Sequence, residues 1–245
     1  MIAAILAASV QLNSQSITLK VDGVERTALV FAPTIPSPNP PVVFAFHGHM
    51  GTSRQASRSF EIQQEWPNAV VVYPQGLATV SPLVDREGRY PGWVLDGDES
   101  NRDIKFFDKL YGDVMNRFHA DPKRVFAMGH SNGGAFIYTL WAIRGNKFAG
   151  LASAEAAGAR KYSLKPKPIL VTIGSNDQLV PPVVQRFSFA EVRKVNQAAK
   201  TGSPFGPKGV LYKGKVPTVL WEYKGGHAFP RDSVPSMVAF FKSLP

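Results

Sequence analysis

A serine between glycines, directly after an apolar run, is the feature that most constrains the fold. Val125-Phe126-Ala127-Met128 predicts a short buried strand, and Gly129-His130-Ser131-Asn132-Gly133-Gly134 follows it. Glycines two residues before and two residues after the serine permit a sharp turn, because a side chain at either position would keep the turn from closing. The pattern therefore predicts a strand, a tight turn that carries the Ser131 hydroxyl, and a helix that begins near Asn132.

A carboxylate and a histidine also follow apolar strand patterns. Asp177 lies just beyond the apolar run 168–173, and His227 lies just beyond the run 218–223. Serine, acid and histidine in this chain order, each past the end of a strand, are the order of the α/β-hydrolase triad. The sequence therefore predicts Ser131 as the nucleophile, His227 as the general base and Asp177 as the acid that orients the histidine.

The identity of the acid has an alternative. Glu155 follows the preceding strand pattern, residues 148–154, and a carboxylate at that position could also reach the histidine. We favour Asp177 and keep Glu155 as the other candidate.

An earlier loop supplies a candidate donor for the oxyanion. Residues 41–46 predict a strand, and His47-Gly48-His49-Met50-Gly51 follows it. Such a loop can bring a backbone N–H to the developing oxyanion, and the residue after the nucleophile, Asn132, supplies a second N–H. We predict His49 as the donor from the loop, with Met50 as the alternative.

Metal chemistry has little support in the sequence. His47 and His49 alternate in one loop, but no clear third ligand accompanies them. The chain contains no cysteine, which excludes disulfides, thiolate ligands and a thiol nucleophile. We expect neither a metal nor another cofactor.

These motifs together resemble the α/β-hydrolase esterases of the polyhydroxybutyrate depolymerase, feruloyl esterase and acetylxylan esterase group. The most specific match runs from Asp121 to Gly134, and the supporting matches are His47-Gly48, Tyr73-Pro74-Gln75-Gly76, residues 103–108, Gly174-Ser175-Asn176-Asp177 and Gly225-Gly226-His227. The chain departs from the group in lacking a cysteine after the early His-Gly, and residues 187–215 match nothing in it. The resemblance implies a serine esterase that acts through an acyl-enzyme on feruloyl or acetyl esters of plant cell-wall polysaccharide. Polyhydroxyalkanoate or another polyester is the alternative substrate.

Strand and helix patterns alternate along most of the chain. Asp22-Gly23 between the runs 17–21 and 24–31 predicts a hairpin, and apolar residues from Ile104 to Phe118 follow a helical period. We predict an α/β-hydrolase fold, with a mostly parallel central sheet, helices on both faces and an N-terminal hairpin. Residues 17–245 are expected to form a single domain; further helices are predicted in the later part of residues 182–200 and over residues 232–242.

The N-terminus and the charge bear on location and partners. Residues 1–16 form a signal-like or apolar N-terminal segment, in which Ala7-Ala8-Ser9 resembles the end of a signal peptide although no basic residue precedes it. We expect a secreted or periplasmic protein and, with no apolar run of about 18 residues, no membrane partner. The net charge of +10 draws the chain toward anionic surfaces, but no nucleic-acid-binding motif accompanies it. The expected partner is the ester substrate.

Two loops leave the predicted catalytic edge of the sheet. The loop at residues 75–100 carries Trp93, and the loop after the candidate acid carries Val180. With His130 beside the nucleophile, we predict that Trp93, Val180 and His130 bind substrate. The alternative is that the aromatic residues only attach long loops to the core.

A silent hydrolase fold that binds carbohydrate is the competing class of function, and the complete set of three catalytic residue types argues against it.

Overall fold

The computed structural model describes residues 14–245. Most of the predicted signal-like segment, residues 1–13, lies outside the described residues. The first strand begins at Ser14 and not at Ile17, because Ser14 already pairs with Phe31 in the N-terminal hairpin.

Within residues 14–245 the chain alternates between strands and helices. The strands are β1 (Ser14–Val21), β2 (Val24–Phe31), β3 (Val42–Phe46), β4 (Val70–Pro74), β5 (Leu77–Ala78), β6 (Pro91–Gly92), β7 (Val125–His130), β8 (Gly150–Ala154), β9 (Ile169–Gly174), β10 (Ser203–Phe205), β11 (Gly209–Tyr212) and β12 (Thr218–Tyr223). The helices are α1 (Ser53–Phe60), α2 (Ile62–Glu65), α3 (Arg102–Phe118), α4 (Asn132–Arg144), α5 (Pro182–Val195) and α6 (Val234–Lys242). In this part of the chain, no helix combines the length and the apolarity that crossing a membrane would require.

A ten-stranded sheet in the order β1-β2-β4-β3-β7-β8-β9-β12-β11-β10 organises the described residues. The strands from β4 to β12 in this order run parallel, and antiparallel pairs extend both edges. The predicted sheet with its N-terminal hairpin is confirmed. Because the carboxyl ends of parallel strands meet at one edge, the loops after β3, β7, β8, β9 and β12 lie together there.

Both faces of the sheet are covered by helices. Along β3, Val42, Phe44 and Phe46 belong to the apolar cluster shared with α3, α4 and α5. Val43 and Ala45 point the other way, into the cluster shared with α1, α2 and α6. Burial on both faces explains why the central strands are continuously apolar and do not alternate with polar residues.

Helix α5 and the hairpin after it differ from the sequence prediction. Helix α5 begins at Pro182, at the start of the predicted region rather than in its later part. Proline suits a first helical turn, because its fixed φ fits the helix and the N–H it lacks would have no partner there. The hairpin of β10 and β11 was not predicted, and it adds to the sheet beside β12 within the segment that matched nothing.

Candidate active site

The turn that carries Ser131 joins β7 to α4. Ser131 has a φ of 55° and a ψ of −121°, a strained conformation for a residue with a side chain. A Cβ on Gly129 would clash with the carbonyl of Gly133, and a Cβ on Gly133 would clash with the carbonyl of Phe46. The close backbone contacts explain the glycine spacing, and α4 begins at Asn132 as the sequence predicts.

The structure brings the serine, histidine and aspartate into one hydrogen-bonded chain. His227 Nε2 lies 2.7 Å from Ser131 Oγ, and His227 Nδ1 lies 2.8 Å from Asp177 Oδ2. A neutral imidazole with its proton on Nδ1 donates to the carboxylate and accepts from the hydroxyl at the same time. This arrangement can move the serine proton to the imidazole and place the resulting cation beside a carboxylate.

Asp177 is held by three donors in addition to the histidine. Its Oδ1 accepts from the backbone N–H groups of Leu179 and Val180, both at 2.9 Å. Its Oδ2 also accepts from Gln185 Nε2 at 2.9 Å. These donors stabilise the negative charge and fix the plane of the carboxylate. Sequence reasoning missed Gln185, since a helical glutamine eight residues after the acid belongs to no motif it used.

Glu155, the alternative acid, is not hydrogen-bonded to His227. Its side chain is buried, and Thr172 donates its hydroxyl to Glu155 Oε1 at 2.7 Å. Burial raises the pKa of Glu155 to about 8, so this carboxyl is mostly protonated at neutral pH. The acid hydrogen-bonded to His227 is Asp177.

His130 contacts the segment that carries His227. Its Nε2–H donates to the carbonyl oxygen of His227 at 2.7 Å, and the two rings lie 5.2 Å apart. Burial, with a further contribution from the nearby His227, lowers the pKa of His130 to about 4, so the ring is neutral at neutral pH. The His130 ring therefore contacts His227 through the main-chain carbonyl of His227. His130 also lines the cavity in front of Ser131.

The loop after β3 lies against the nucleophile. A Cβ on Gly48 would stand 3.3 Å from Ser131 Cβ. Among the described residues, the backbone N–H groups of His49 and Asn132 have no hydrogen-bond acceptor, whereas Met50 donates its N–H to the Pro91 carbonyl at 2.8 Å. The backbone N–H groups of His49 and Asn132 are therefore free to donate to an oxyanion. The N–H of Met50, the alternative donor, is already hydrogen-bonded.

Both nitrogens of His47 are occupied within the same loop. Its Nδ1–H donates to the Gly48 carbonyl at 2.7 Å, and its Nε2 accepts from the Gly76 N–H at 3.0 Å. Burial lowers the pKa of His47 to about 4. Across residues 14–245, no group of three or more His, Asp or Glu side chains is arranged to hold a metal ion.

The prediction that Trp93 lines the cleft is corrected by the structure. Trp93 is 1% exposed, and its indole N–H donates to the His47 carbonyl at 2.8 Å. Its backbone N–H and carbonyl bond to the Asn132 side chain at 2.7 and 3.1 Å, and its ring stacks on Phe136. A large ring with one N–H finds both apolar packing and a buried acceptor here, so Trp93 attaches its loop to the core, as the alternative reading held.

A cavity of about 720 Å³ opens in front of Ser131. His130 and Val180, two of the three predicted substrate-binding residues, are in its wall. Within the described part of the chain, no Asp, Glu, Lys or Arg lines this cavity, although the chain as a whole carries a net charge of +10. The reacting centre therefore faces an uncharged space.

Solved structures with this architecture define the class of the protein. An acetyl xylan esterase from Aspergillus awamori superposes with a TM-score of 0.64 at 14% identity, covering 92% of this chain and 99% of that chain. A carboxylesterase from Bacillus cereus superposes with a TM-score of 0.60 at 14% identity, covering 94% and 93%. These similarities show the α/β-hydrolase fold.

The family follows from the sequence itself. A family model described as acetyl xylan esterase (AXE1) matches residues 17–152, more than half of the chain. The chain therefore belongs to this acetyl xylan esterase family. The matched region contains the Ser131 turn and the loop after β3, and it ends before Asp177 and His227.

A curated relative gives a similar result. The bifunctional acetylxylan esterase/xylanase XynS20E of Neocallimastix patriciarum is 28% identical over 163 residues. That alignment covers 64% of this chain and 22% of the relative, so the chain spans about a fifth of the relative's length.

Proposed function

We propose that this esterase works through a covalent acyl-enzyme on Ser131. His227 Nε2 takes the hydroxyl proton while Ser131 Oγ attacks the ester carbonyl carbon, which gives a tetrahedral intermediate. As the intermediate collapses, the protonated His227 returns that proton to the departing alcohol oxygen. Water then attacks the acyl-enzyme by the same route and releases the acid. The hydrogen-bonded chain from Ser131 through His227 to Asp177, at 2.7 and 2.8 Å, is the observation that carries the proposal.

The remaining roles follow from charge. Asp177 orients the imidazole and stabilises its cationic form. The oxyanion accepts from the backbone N–H groups of Asn132 and His49, which have no other acceptor among the described residues. The Asn132 N–H lies at the N-terminus of α4, whose dipole adds to the stabilisation of negative charge.

The proposed substrates are feruloyl or acetyl esters of plant cell-wall polysaccharide. Membership of the acetyl xylan esterase family and the similarity to the acetylxylan esterase/xylanase of Neocallimastix patriciarum support a polysaccharide-linked ester. Polysaccharide of that kind lies outside cells, so a secreted or periplasmic location belongs to the same proposal. N-terminal sequencing of the protein recovered from the producing organism's medium or periplasm tests this location.

A polyester is the second candidate substrate. Exposed apolar side chains line or border the mouth of the cavity, with exposures from 39% to 73%: Met50, Leu83, Val84, Leu179, Val184 and Phe187. Apolar side chains grouped around an active site favour adsorption to an apolar surface. An insoluble polyhydroxyalkanoate presents such a surface.

Hydrolysis by the wild type and by Ser131→Ala tests the mechanism and separates the substrates. The panel is p-nitrophenyl acetate, methyl ferulate, acetylated xylan and a polyhydroxybutyrate film. We expect Ser131→Ala to lose at least about 10⁴-fold in kcat on every active substrate, because the covalent step is removed. Circular dichroism of the variant checks that the fold is retained. Residual activity within about tenfold of wild type would contradict the serine mechanism. Carbohydrate binding without any turnover would favour the silent fold.

A further inference from the structure

The walls of the cavity come from both sides of the nucleophile. In the sheet, β3 and β4 lie on one side of β7, and β8 and β9 lie on the other. Met50 follows β3, and Leu83 and Val84 belong to the segment after β4. Ala156 and Ala157 follow β8, and Leu179, Val180 and Val184 follow β9. Apolar side chains therefore stand on either side of Ser131.

The size of the cavity exceeds the needs of an acetyl group. A space of about 720 Å³ lies within the range that holds a whole drug-sized ligand, whereas an acetyl group brings two carbon atoms. Each methylene group that leaves water to contact an apolar wall makes substrate binding more favourable. An acetyl group would leave most of this wall facing water.

The wall is poorly suited to a sugar. Sugar rings are bound by many hydrogen-bonding side chains and by exposed aromatic faces. Hydrogen-bonding side chains such as Gln55, Ser59 and Ser81 do line the cavity, but apolar side chains outnumber them. All four tryptophans of the chain are at most 3% exposed, so none offers a ring face to a sugar there. The polysaccharide part of a substrate therefore has its place at the mouth, and the acyl group is the part that fits inside.

We propose that the site selects esters whose acyl group is uncharged, apolar and larger than acetyl. This inference rests on the proposed function, since it concerns the acyl group transferred to Ser131, and of the two acyl groups proposed there it favours feruloyl over acetyl. The fitting groups are a straight acyl chain of about four to ten carbon atoms and an aromatic phenylpropenoyl group. Both present the same apolar chemistry, and the experiment separates them.

A series of p-nitrophenyl esters from acetate to dodecanoate, together with methyl ferulate and methyl acetate, measures the selectivity. All esters are used below the concentration at which they aggregate, and Ser131→Ala runs beside the wild type. We expect kcat/KM to rise about two- to fourfold per methylene group, so that hexanoate exceeds acetate by at least about tenfold. A high kcat/KM for methyl ferulate, relative to methyl acetate, assigns the aromatic form of the acyl group.

A matched pair of variants places the selectivity on the cavity wall. Val184 lines the cavity, and its neighbour Val183 does not, although they are 45% and 54% exposed in the first turn of α5. Because both are exposed, neither change empties the core. We expect Val184→Asp to lower kcat/KM for octanoate by at least about tenfold and for acetate by less than about threefold. We expect Val183→Asp to leave both values unchanged.

Each outcome decides one of the two proposals. Serine-dependent turnover that is highest on acetate and falls with chain length would overturn the acyl-group inference and leave the serine mechanism intact. An equal loss on acetate and octanoate in Val184→Asp would overturn it too, because the change would then act on the reacting centre. No Ser131-dependent hydrolysis of any ester would overturn the proposed function itself.

Discussion

Asp177 follows β9 and Glu155 follows β8, so two acids stand beside each other at one edge of the sheet. Asp177 accepts from two backbone N–H groups, from Gln185 and from His227. Glu155 accepts from the hydroxyl of Thr172, and burial raises its pKa to about 8. Strand ends supply positions for acids, and the donors around each position decide which acid carries a stabilised charge.

The chain after each strand produces this difference. After Asp177 the backbone turns back, so that the N–H groups of Leu179 and Val180 point at the carboxylate, and α5 then brings Gln185 to it. Glu155 has a φ of 47°, and its side chain lies inside the protein with one oxygen unpaired. A carboxyl with few donors in an apolar site avoids the cost of a buried charge by keeping its proton.

Removing the charge of Asp177 is expected to have the largest effect. Asp177→Asn keeps the size of the side chain but favours the wrong imidazole tautomer, so kcat should fall by about 10³- to 10⁴-fold. Ester hydrolysis at saturating substrate measures this, with circular dichroism to confirm the fold. A loss below about tenfold would contradict the contrast between Asp177 and Glu155, because Asp177 would then not be the acid that orients His227.

Removing one donor from Asp177 should have an intermediate effect. Gln185→Met takes away the Nε2–H at 2.9 Å from Oδ2, and kcat should fall by about 10- to 100-fold because hydrogen bonds to charged groups contribute about 1.5–3 kcal/mol. Gln63→Met is the matched control. Gln63 is also buried, but it bonds to Ser57 and Tyr73. If both variants lose the same activity, the effect is general destabilisation.

The hydrogen bond from His130 to the His227 carbonyl should matter somewhat less. His130→Phe keeps an aromatic ring there and removes the N–H, so we expect kcat to fall by about tenfold, the value of one neutral hydrogen bond, with KM nearly unchanged. His130→Gln retains an N–H donor and should recover part of the loss. A rise in KM with kcat unchanged would assign His130 to substrate binding, since it also lines the cavity.

Local patterns predicted the positions of Ser131 and His227, because strand ends and glycine turns are visible in short stretches of sequence. The interactions that tell Asp177 from Glu155 depend on α5, and chain order alone left both open. The sequence predicts Trp93 in the cleft because an aromatic residue in a long loop looks the same in sequence whether it faces a ligand or the core. Its contacts with His47 and Asn132 exist only after distant segments meet.

Glu155→Gln should have the smallest effect on activity and the clearest effect on the pH dependence of stability. Glutamine resembles the protonated carboxyl, so kcat at pH 7 should stay within about threefold of wild type.

The folded pKa of about 8 lies above the ordinary value of 4.5, so the folded protein binds the Glu155 proton more tightly than the unfolded chain does. The stability from this proton is fully present below pH 4.5 and is lost as the pH rises toward 8. The unfolding free energy of the wild type, relative to the variant, should therefore fall by about 1.4 kcal/mol per pH unit across this window. Urea unfolding of both proteins at pH 5, 6, 7 and 8 measures the difference, in which the contributions of titrating groups distant from Glu155 cancel. Parallel pH profiles would mean that Glu155 is ionised in the folded protein, and the contrast with Asp177 would then rest on geometry alone.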